Sequence, residues 1–131
     1  MKRSCVLIFS LAFLSYPIFA GVFDVIHNFD GINGTRPYGS VVISGGTLYG
    51  TTVRTNSSTV GGTVFKLDTD GSDFEILHSF TDSTADGNEV YNGLTIVENN
   101  IYGITRIGGT SSNGVLFKID GEKIGRASCR E

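Results

Sequence analysis

The stretch that decides the fold is GTVFKLDTDGSDFEILHSF, residues 62–80. It contains two runs rich in aliphatic and aromatic residues, which flank the turn dipeptide Asp70-Gly71. Glycine accepts the left-handed backbone of a tight turn without steric cost, and aspartate tolerates it well. The stretch therefore predicts two antiparallel strands joined by a hairpin.

Parts of this stretch recur in the chain with a period of about 52 residues. The repeated segments keep the order of their aromatic, aliphatic and glycine residues: FDVIHNF at 23–29 returns as FEILHSF at 74–80, LYGTT at 48–52 as IYGIT at 101–105, and GTVFKLD at 62–68 as GVLFKID at 114–120. Tyr38-Gly39 aligns with Asn92-Gly93 near the same register. We divide this region into a first repeat at 21–73 and a second at 74–123.

Each repeat holds four strand-like runs and no helical periodicity. In the second repeat the runs are 74–80, 94–97, 100–105 and 115–120. Tight hairpins are expected at Asn99-Asn100 and, in the first repeat, at Gly45-Gly46. Apolar residues fall on both faces of several runs, which is typical of a sheet covered on both sides. The pattern predicts an all-β fold of four-stranded antiparallel β-propeller-like blades, forming a partial propeller, with a β-solenoid as the alternative.

The first 20 residues have the pattern of a secretory signal peptide. Lys2 and Arg3 precede an apolar run that Pro17 interrupts, and Ala20 offers a small residue before a cleavage site. The apolar run is shorter than the ~20 residues that span a bilayer, which makes an uncleaved anchor the weaker alternative and a buried N-terminal helix weaker still. We expect a secreted or cell-surface protein with no stable membrane span after cleavage.

The last eight residues, IGRASCRE at 124–131, resemble the translation of a common sequencing-library adapter. We expect an artefact at the end of an N-terminal fragment, so that further repeats of the same chain follow in the natural gene. A natural polar tail is the alternative.

Residues 21–123 contain 6 Lys and Arg against 12 Asp and Glu, a net charge of −6. This acidic balance makes nucleic acid and anionic membranes poor candidate partners, because both need basic surfaces. Cys5 and Cys129 are the two cysteines of the chain and lie in the two terminal segments. The region between them thus offers no disulfide, zinc-thiolate site or cysteine nucleophile.

The order of these motifs resembles the GloVer or "choice-of-anchor" tandem-repeat proteins. The resemblance rests on LYGTT, Gly61-Gly62, GTVFKL, the DGS turn and LHSF, with a weaker second copy at 101–119. It implies a secreted or cell-surface bacterial repeat protein with many copies, a C-terminal anchor and no established enzymatic activity. The printed sequence contains two copies and no anchor, a departure from the pattern that truncation would explain.

The two histidines, His27 and His78, occupy the same position of consecutive repeats. Equivalent positions indicate a recurring structural hydrogen bond, and a pair of metal ligands is the alternative. The positions predicted to be structural in both repeats are His27 and His78, Phe29 and Phe80, Tyr49 and Tyr102, and Phe65 and Phe117.

Two acidic loops are weak candidates for calcium. Asp68, Asp70 and Asp73 form DTDGSD, which lacks the later bidentate glutamate of an EF-hand and fits a hairpin turn better. Asp82 and Asp86 lie in a second loop that could bind calcium or sugar hydroxyls.

No catalytic or cofactor site emerges from the sequence. A hydrolase triad needs a base beside its nucleophile, and both histidines are in repeat positions. The glycine pairs precede strands, so they lack the helix N-terminus that binds phosphate. We expect a non-catalytic scaffold that presents loops to an extracellular protein or glycan. The alternative is a lectin-like or enzymatic propeller whose active groups lie in other blades.

Overall fold

The computed structural model describes residues 21–57, 60–81 and 86–121. These residues are all-β, as predicted, and no α-helix occurs among them. The strands are β1 Val42–Ser44, β2 Thr47–Thr52, β3 Val60–Asp68, β4 Glu75–Thr81, β5 Gly87–Asn88, β6 Thr95–Val97, β7 Asn100–Ile104, β8 Ile107–Gly108 and β9 Leu116–Ile119. Within the same ranges, no helix is long and apolar enough to span a membrane.

Some sequence-based predictions concern residues outside the described ranges. They are the signal peptide at 1–20, the adapter-like segment at 124–131 with Cys129, Cys5 in the N-terminal segment, and the loop residue Asp82.

The first sheet has four antiparallel strands in the order β1-β2-β3-β4. Gly45 and Gly46 join β1 to β2 with φ angles of 59° and 86°. This left-handed backbone is what a two-residue hairpin requires. At the next turn the Gly71 backbone N donates to the Asp68 carbonyl at 2.8 Å. Both turns lie where the sequence placed them.

The first sheet crosses the boundary between the two sequence repeats. Strand β4, which carries the FEILHSF run of the second repeat, pairs with β3 of the first repeat. A β-bulge shifts the register, because Val64 faces His78 while Phe65 faces Ile76. The hydrogen-bonded unit therefore runs from residue 42 to residue 81, out of phase with the sequence repeat.

The second sheet has three strands in the order β6-β7-β9. Val97 pairs with Asn100, so the hairpin loop consists of Glu98 and Asn99. The predicted Asn99-Asn100 turn was wrong by one residue, and Glu98 takes the left-handed backbone with φ 55°. The loop occupies the same repeat position as Gly45-Gly46. The register of the strands therefore determines the position of the turn here, against the preference of Asn-Asn for turn positions.

A short ladder also repeats. Strands β5 and β8 pair Asn88 with Ile107, and the equivalent bridge in the preceding repeat joins Thr35 to Arg54. Each ladder joins the segment that enters a sheet to the connection between the second and third strands of that sheet.

The apolar core lies between the two larger sheets. Its buried members are Tyr49, Val64, Leu77, Phe80, Val90, Leu94, Ile101 and Ile119. In β3 the neighbouring residues Val64 and Phe65 are both buried, so this strand is covered on both faces, as predicted. The sheets are open and antiparallel, and the all-β prediction is confirmed at that level.

Candidate functional site

The two histidines make similar contacts in their repeats. His27 packs edge-on against Phe29 at 4.9 Å, and His78 packs edge-on against Phe80 at 4.6 Å. The Asn33 amide nitrogen donates to His27 Nε2 at 3.4 Å. His78 Nε2 lies 3.3 Å from Asp86 Oδ1.

The side chains that contact the histidines also hold the loop backbone. Asn33 Oδ1 accepts a hydrogen bond from the Asp30 backbone N at 3.1 Å. Asp86 Oδ2 accepts the equivalent bond from the Thr81 backbone N at 3.0 Å. Each histidine thus contacts a side chain that also accepts a hydrogen bond from the loop backbone. In the described ranges, no group of three His, Cys, Asp or Glu residues could hold a metal ion.

The repeated phenylalanines connect consecutive units. Phe29 packs edge-on against Phe65 at 5.2 Å and 65°. Phe80 packs against Phe117 at 5.1 Å and 63°. Glycine lies under the second ring of each pair, since a Cβ on Gly50 would be 2.5 Å from Phe65 Cζ. The Phe29–Phe65 and Phe80–Phe117 contacts therefore have nearly the same geometry.

The predicted structural tyrosines differ in burial. Tyr49 in β2 is buried in the core, and burial raises the pKa of its phenol above the ordinary value. Tyr102 in β7 is half-buried and pairs with Thr95 and Lys118 in the second sheet.

The acidic residues of DTDGSD form turn hydrogen bonds. Asp70 Oδ1 accepts bonds from the Ser72 backbone N at 2.9 Å and the Ser72 hydroxyl at 2.6 Å, and these bonds lower the pKa of Asp70. Asp68 Oδ1 accepts a bond from the Thr47 hydroxyl at 3.0 Å. Asp73 takes the left-handed backbone, with φ 53°. These are the contacts of a hairpin turn.

Asp86 is the described member of the second acidic loop. Burial pushes the pKa of Asp86 upward, but the hydrogen bonds from Thr81 and His78 outweigh it and leave the pKa lowered. The carboxylate therefore fastens its loop in the ionised form.

A surface that the sequence analysis missed lies at one end of the sheets. At this end, strand β2 ends at Thr52 and strand β3 begins at Val60. Strand β4 ends there too, because its last residue, Thr81, pairs with Val60. Two exposed rings at this end, Tyr38 and Tyr91, stack at 5.9 Å with an interplanar angle of 17°. Tyr38 is 63% exposed and Tyr91 38% exposed. We call these two rings the tyrosine pair.

A buried carboxylate holds two arginines beside the tyrosine pair. The Glu89 side chain is 4% exposed and forms ion pairs with Arg54 and Arg106. The second of these, from Arg106 Nη1 to Glu89 Oε2, is 2.6 Å long. The Arg106 guanidinium also lies 5.8 Å from the centre of the Tyr91 ring. We call Arg54, Glu89 and Arg106 the ion triad.

The electrostatics of the ion triad favour the charged forms. Burial pushes the pKa of Glu89 upward, but hydrogen bonds and positive charge from Arg106 and Arg54 outweigh it, so the pKa is lowered. The same bond to Glu89 raises the pKa of Arg106. Two exposed cations share one buried anion, so the triad presents net positive charge beside the two rings.

Repeat alignment could have found the tyrosine pair. Tyr38 was aligned with Asn92, whereas Tyr91, one residue earlier, is the stacking partner. Repeat alignment could not have identified Glu89, because the equivalent position in the preceding repeat is occupied by Arg36. Both residues take the left-handed backbone, with φ of 56° at Arg36 and 59° at Glu89.

The repeated ladders, ring contacts and loop anchors define an all-β tandem-repeat protein. The family model for the Gloeobacter/Verrucomicrobia repeat matches residues 12–127. The chain belongs to this family, as the motif order predicted. No curated protein and no solved structure matches the chain.

Proposed function

We propose that this protein is a non-catalytic secreted or cell-surface scaffold built from blade-like β repeats, and that its loops bind an extracellular protein or glycan. The tyrosine pair with the ion triad carries the proposal. Two stacked rings and two arginines are exposed together at one end of the sheets. Tyrosine and arginine are the residue types enriched where proteins bind their partners.

The surface is supported by rigid structure, which favours binding. Glu89 lies next to strand β5, and its carbonyl accepts the Arg106 backbone N at 3.0 Å. The Thr51 hydroxyl donates to the Asn92 carbonyl at 3.3 Å, next to Tyr91. A binding surface held in place before the ligand arrives loses less conformational freedom on binding.

The chemistry suits a glycan that carries an anionic group. A tyrosine ring offers an apolar face for a sugar ring and a hydroxyl for hydrogen bonding. The arginines offer planar donors that fit a carboxylate or sulfate. Export is part of the proposal and is supported by the basic and apolar pattern of residues 1–20.

The test is binding of the 131-residue chain to an array of neutral and acidic oligosaccharides. We expect binding to acidic members, a loss of at least tenfold for Tyr38→Ala and near-normal binding for Tyr38→Phe. Glu98→Ala is the matched control, because Glu98 lies in the hairpin at the opposite end of the second sheet. Equal binding by Tyr38→Ala and the unmodified chain, or no binding to any oligosaccharide, would contradict the glycan role.

A further inference from the structure

The chain contains three Asn-Gly dipeptides, at Asn33-Gly34, Asn92-Gly93 and Asn113-Gly114. In such a dipeptide the glycine backbone N can attack Cγ of the asparagine, because glycine has no Cβ to obstruct the approach. A bond forms between that nitrogen and Cγ, the Cγ–Nδ2 bond breaks, and the amide nitrogen leaves as ammonia with the proton of the glycine N–H. Water then opens the cyclic imide to aspartate or isoaspartate. The reaction needs an asparagine side chain that can turn and a glycine N–H that is free.

The Asn33 side chain is held by hydrogen bonds at both ends of its amide. Its nitrogen donates to His27 Nε2 at 3.4 Å, and its oxygen accepts from the Asp30 backbone N at 3.1 Å. The Asn33 carbonyl also accepts the Thr63 hydroxyl at 3.2 Å. Turning the side chain toward the buried Gly34 would break both amide bonds, so the fold protects Asn33.

At Asn113 the attacking nitrogen is engaged. The Asn113 side chain is exposed, but the Gly114 backbone N donates to the Gly108 carbonyl at 3.0 Å. This hydrogen bond has to break before the nitrogen can attack, so the fold protects Asn113 as well.

Asn92 has neither protection. Asn92 is exposed, and in the part of the chain that the structure describes its side chain and the Gly93 backbone N make no hydrogen bond. The Thr51 hydroxyl donates to the Asn92 carbonyl at 3.3 Å. That carbonyl and the Gly93 N–H belong to one peptide group, so the bond stabilises the negative charge that develops when the nitrogen loses its proton. Because a similar bond occurs at Asn33, the free side chain is what distinguishes Asn92 from it.

We propose that the folded chain deamidates selectively at Asn92, which adds a carboxylate beside the tyrosine pair. Asn92 directly follows Tyr91. Its carbonyl also lies against Gly39, which directly follows Tyr38, since a Cβ on Gly39 would be 2.7 Å from the Asn92 carbonyl O. An added negative charge at this place opposes the binding of an anionic glycan, a consequence that rests on the proposed function.

The test is peptide mapping by mass spectrometry of the 131-residue chain after ageing at mildly alkaline pH, both folded and in urea. In the folded chain we expect Asn92 to convert at least tenfold faster than Asn33 and Asn113. In urea the three rates should be similar, because the local dipeptide alone then sets the rate. Conversion of Asn33 or Asn113 in the folded chain as fast as that of Asn92 would overturn the proposal.

Gly93→Ala tests the attacking nitrogen directly. A Cβ at Gly93 would be 3.2 Å from the Ser40 carbonyl O, a contact that a small shift relieves, and Gly93 does not have the left-handed backbone that would strain alanine. We expect the variant to keep its circular dichroism and to convert Asn92 at least tenfold more slowly, because the added Cβ obstructs the attack. An unchanged rate at Asn92 would also overturn the proposal.

The consequence for binding is measured separately with Asn92→Asp on the oligosaccharide array. We expect at least threefold weaker binding to acidic members. Asn99→Asp is the matched control, because it adds the same charge in the hairpin at the opposite end of the second sheet. Equal binding by the two variants would contradict the consequence for binding. If the unmodified chain binds no oligosaccharide, the proposed function fails, while the peptide map still decides whether Asn92 is the deamidation site.

Discussion

Strand β3 of the first sheet and strand β9 of the second carry nearly the same sequence but lie in different surroundings. The run VFKLD at 64–68 corresponds to LFKID at 116–120. Val64 is fully buried, whereas Leu116 is 72% exposed. The sequence of these runs therefore determines that they form strands, but whether their side chains are buried depends on a neighbouring sheet. This is expected of repeat proteins, where each repeat contacts only its neighbours.

The largest expected effect is the difference in unfolding free energy between a substitution at Val64 and one at Leu116. Val64→Ala deletes buried methyl groups and leaves a cavity, so we expect a loss of about 2–3 kcal/mol in the free energy of unfolding. Leu116→Ala deletes more atoms, yet we expect less than about 0.5 kcal/mol because the side chain is exposed. Urea unfolding at a concentration where the chain is monomeric measures both. Equal losses would show that the second sheet is as well covered as the first.

Glycine under the phenylalanine ring gives a second comparison. A Cβ at Gly50 would lie 2.5 Å from Phe65 Cζ, and one at Gly103 would lie 2.3 Å from Phe117 Cζ. The Phe65 ring is confined by Phe29 at 5.2 Å and by Phe74 at 5.6 Å. Phe117 is half-buried and packs against the Phe80 ring at 5.1 Å, so we expect it to be less confined than Phe65.

We therefore expect Gly50→Ala to cost about 1–3 kcal/mol through overpacking, and Gly103→Ala to cost about 1 kcal/mol less despite its shorter contact. Thermal unfolding followed by circular dichroism compares the two variants. Serine substitutions at the same two positions serve as a repeat measurement with a slightly larger side chain. A larger loss at Gly103 would mean that the Phe117 ring is held as firmly as Phe65.

Strands and most turns were predictable from the sequence because their signals are local. Alternating apolar residues and the Gly45-Gly46 and Asp70-Gly71 dipeptides mark the elements of the first sheet. The Asp70-Gly71 turn predicted the pairing of β4 with β3, but the repeats were divided between these two strands, because a period can be divided at any phase. Hydrogen bonds between strands determine which strands form one structural unit, and a repeat read from the sequence does not show those hydrogen bonds.

The histidines and the candidate binding surface also show how far prediction from the sequence reaches. Repetition alone predicted structural roles for His27 and His78, and this stays a prediction; each ring packs edge-on against a phenylalanine of its own repeat. The tyrosine pair was missed because loop slips displaced the alignment by one residue. Glu89 was missed because its ion pairs join residues that are 35 and 17 positions away in sequence. Such contacts are known only after the sheets are assembled.

The smallest expected effect compares Glu89 with Arg36, which share a repeat position and a left-handed backbone. The pKa of Glu89 is lowered in the folded chain, so its ion pairs stabilise the fold above the ordinary glutamate value of 4.5. That contribution is lost as the pH falls through the lowered folded pKa. Because both arginines are largely exposed, we expect Glu89→Gln to cost less than about 1 kcal/mol at pH 7.

Urea unfolding of Glu89→Gln and the unmodified chain at pH 7 and at pH 3 measures this contribution. The difference between them should shrink at pH 3, which lies below the ordinary glutamate value, because the contribution of the ion pairs decreases as the pH falls from that value toward the lowered folded pKa. Arg36→Gln is the control, since removing that exposed cation should give the same small change at both pH values. A difference for Glu89→Gln that stays constant from pH 7 to pH 3 would show that the side chain acts through packing, and the arginines beside the tyrosine pair would then be held by something other than its charge.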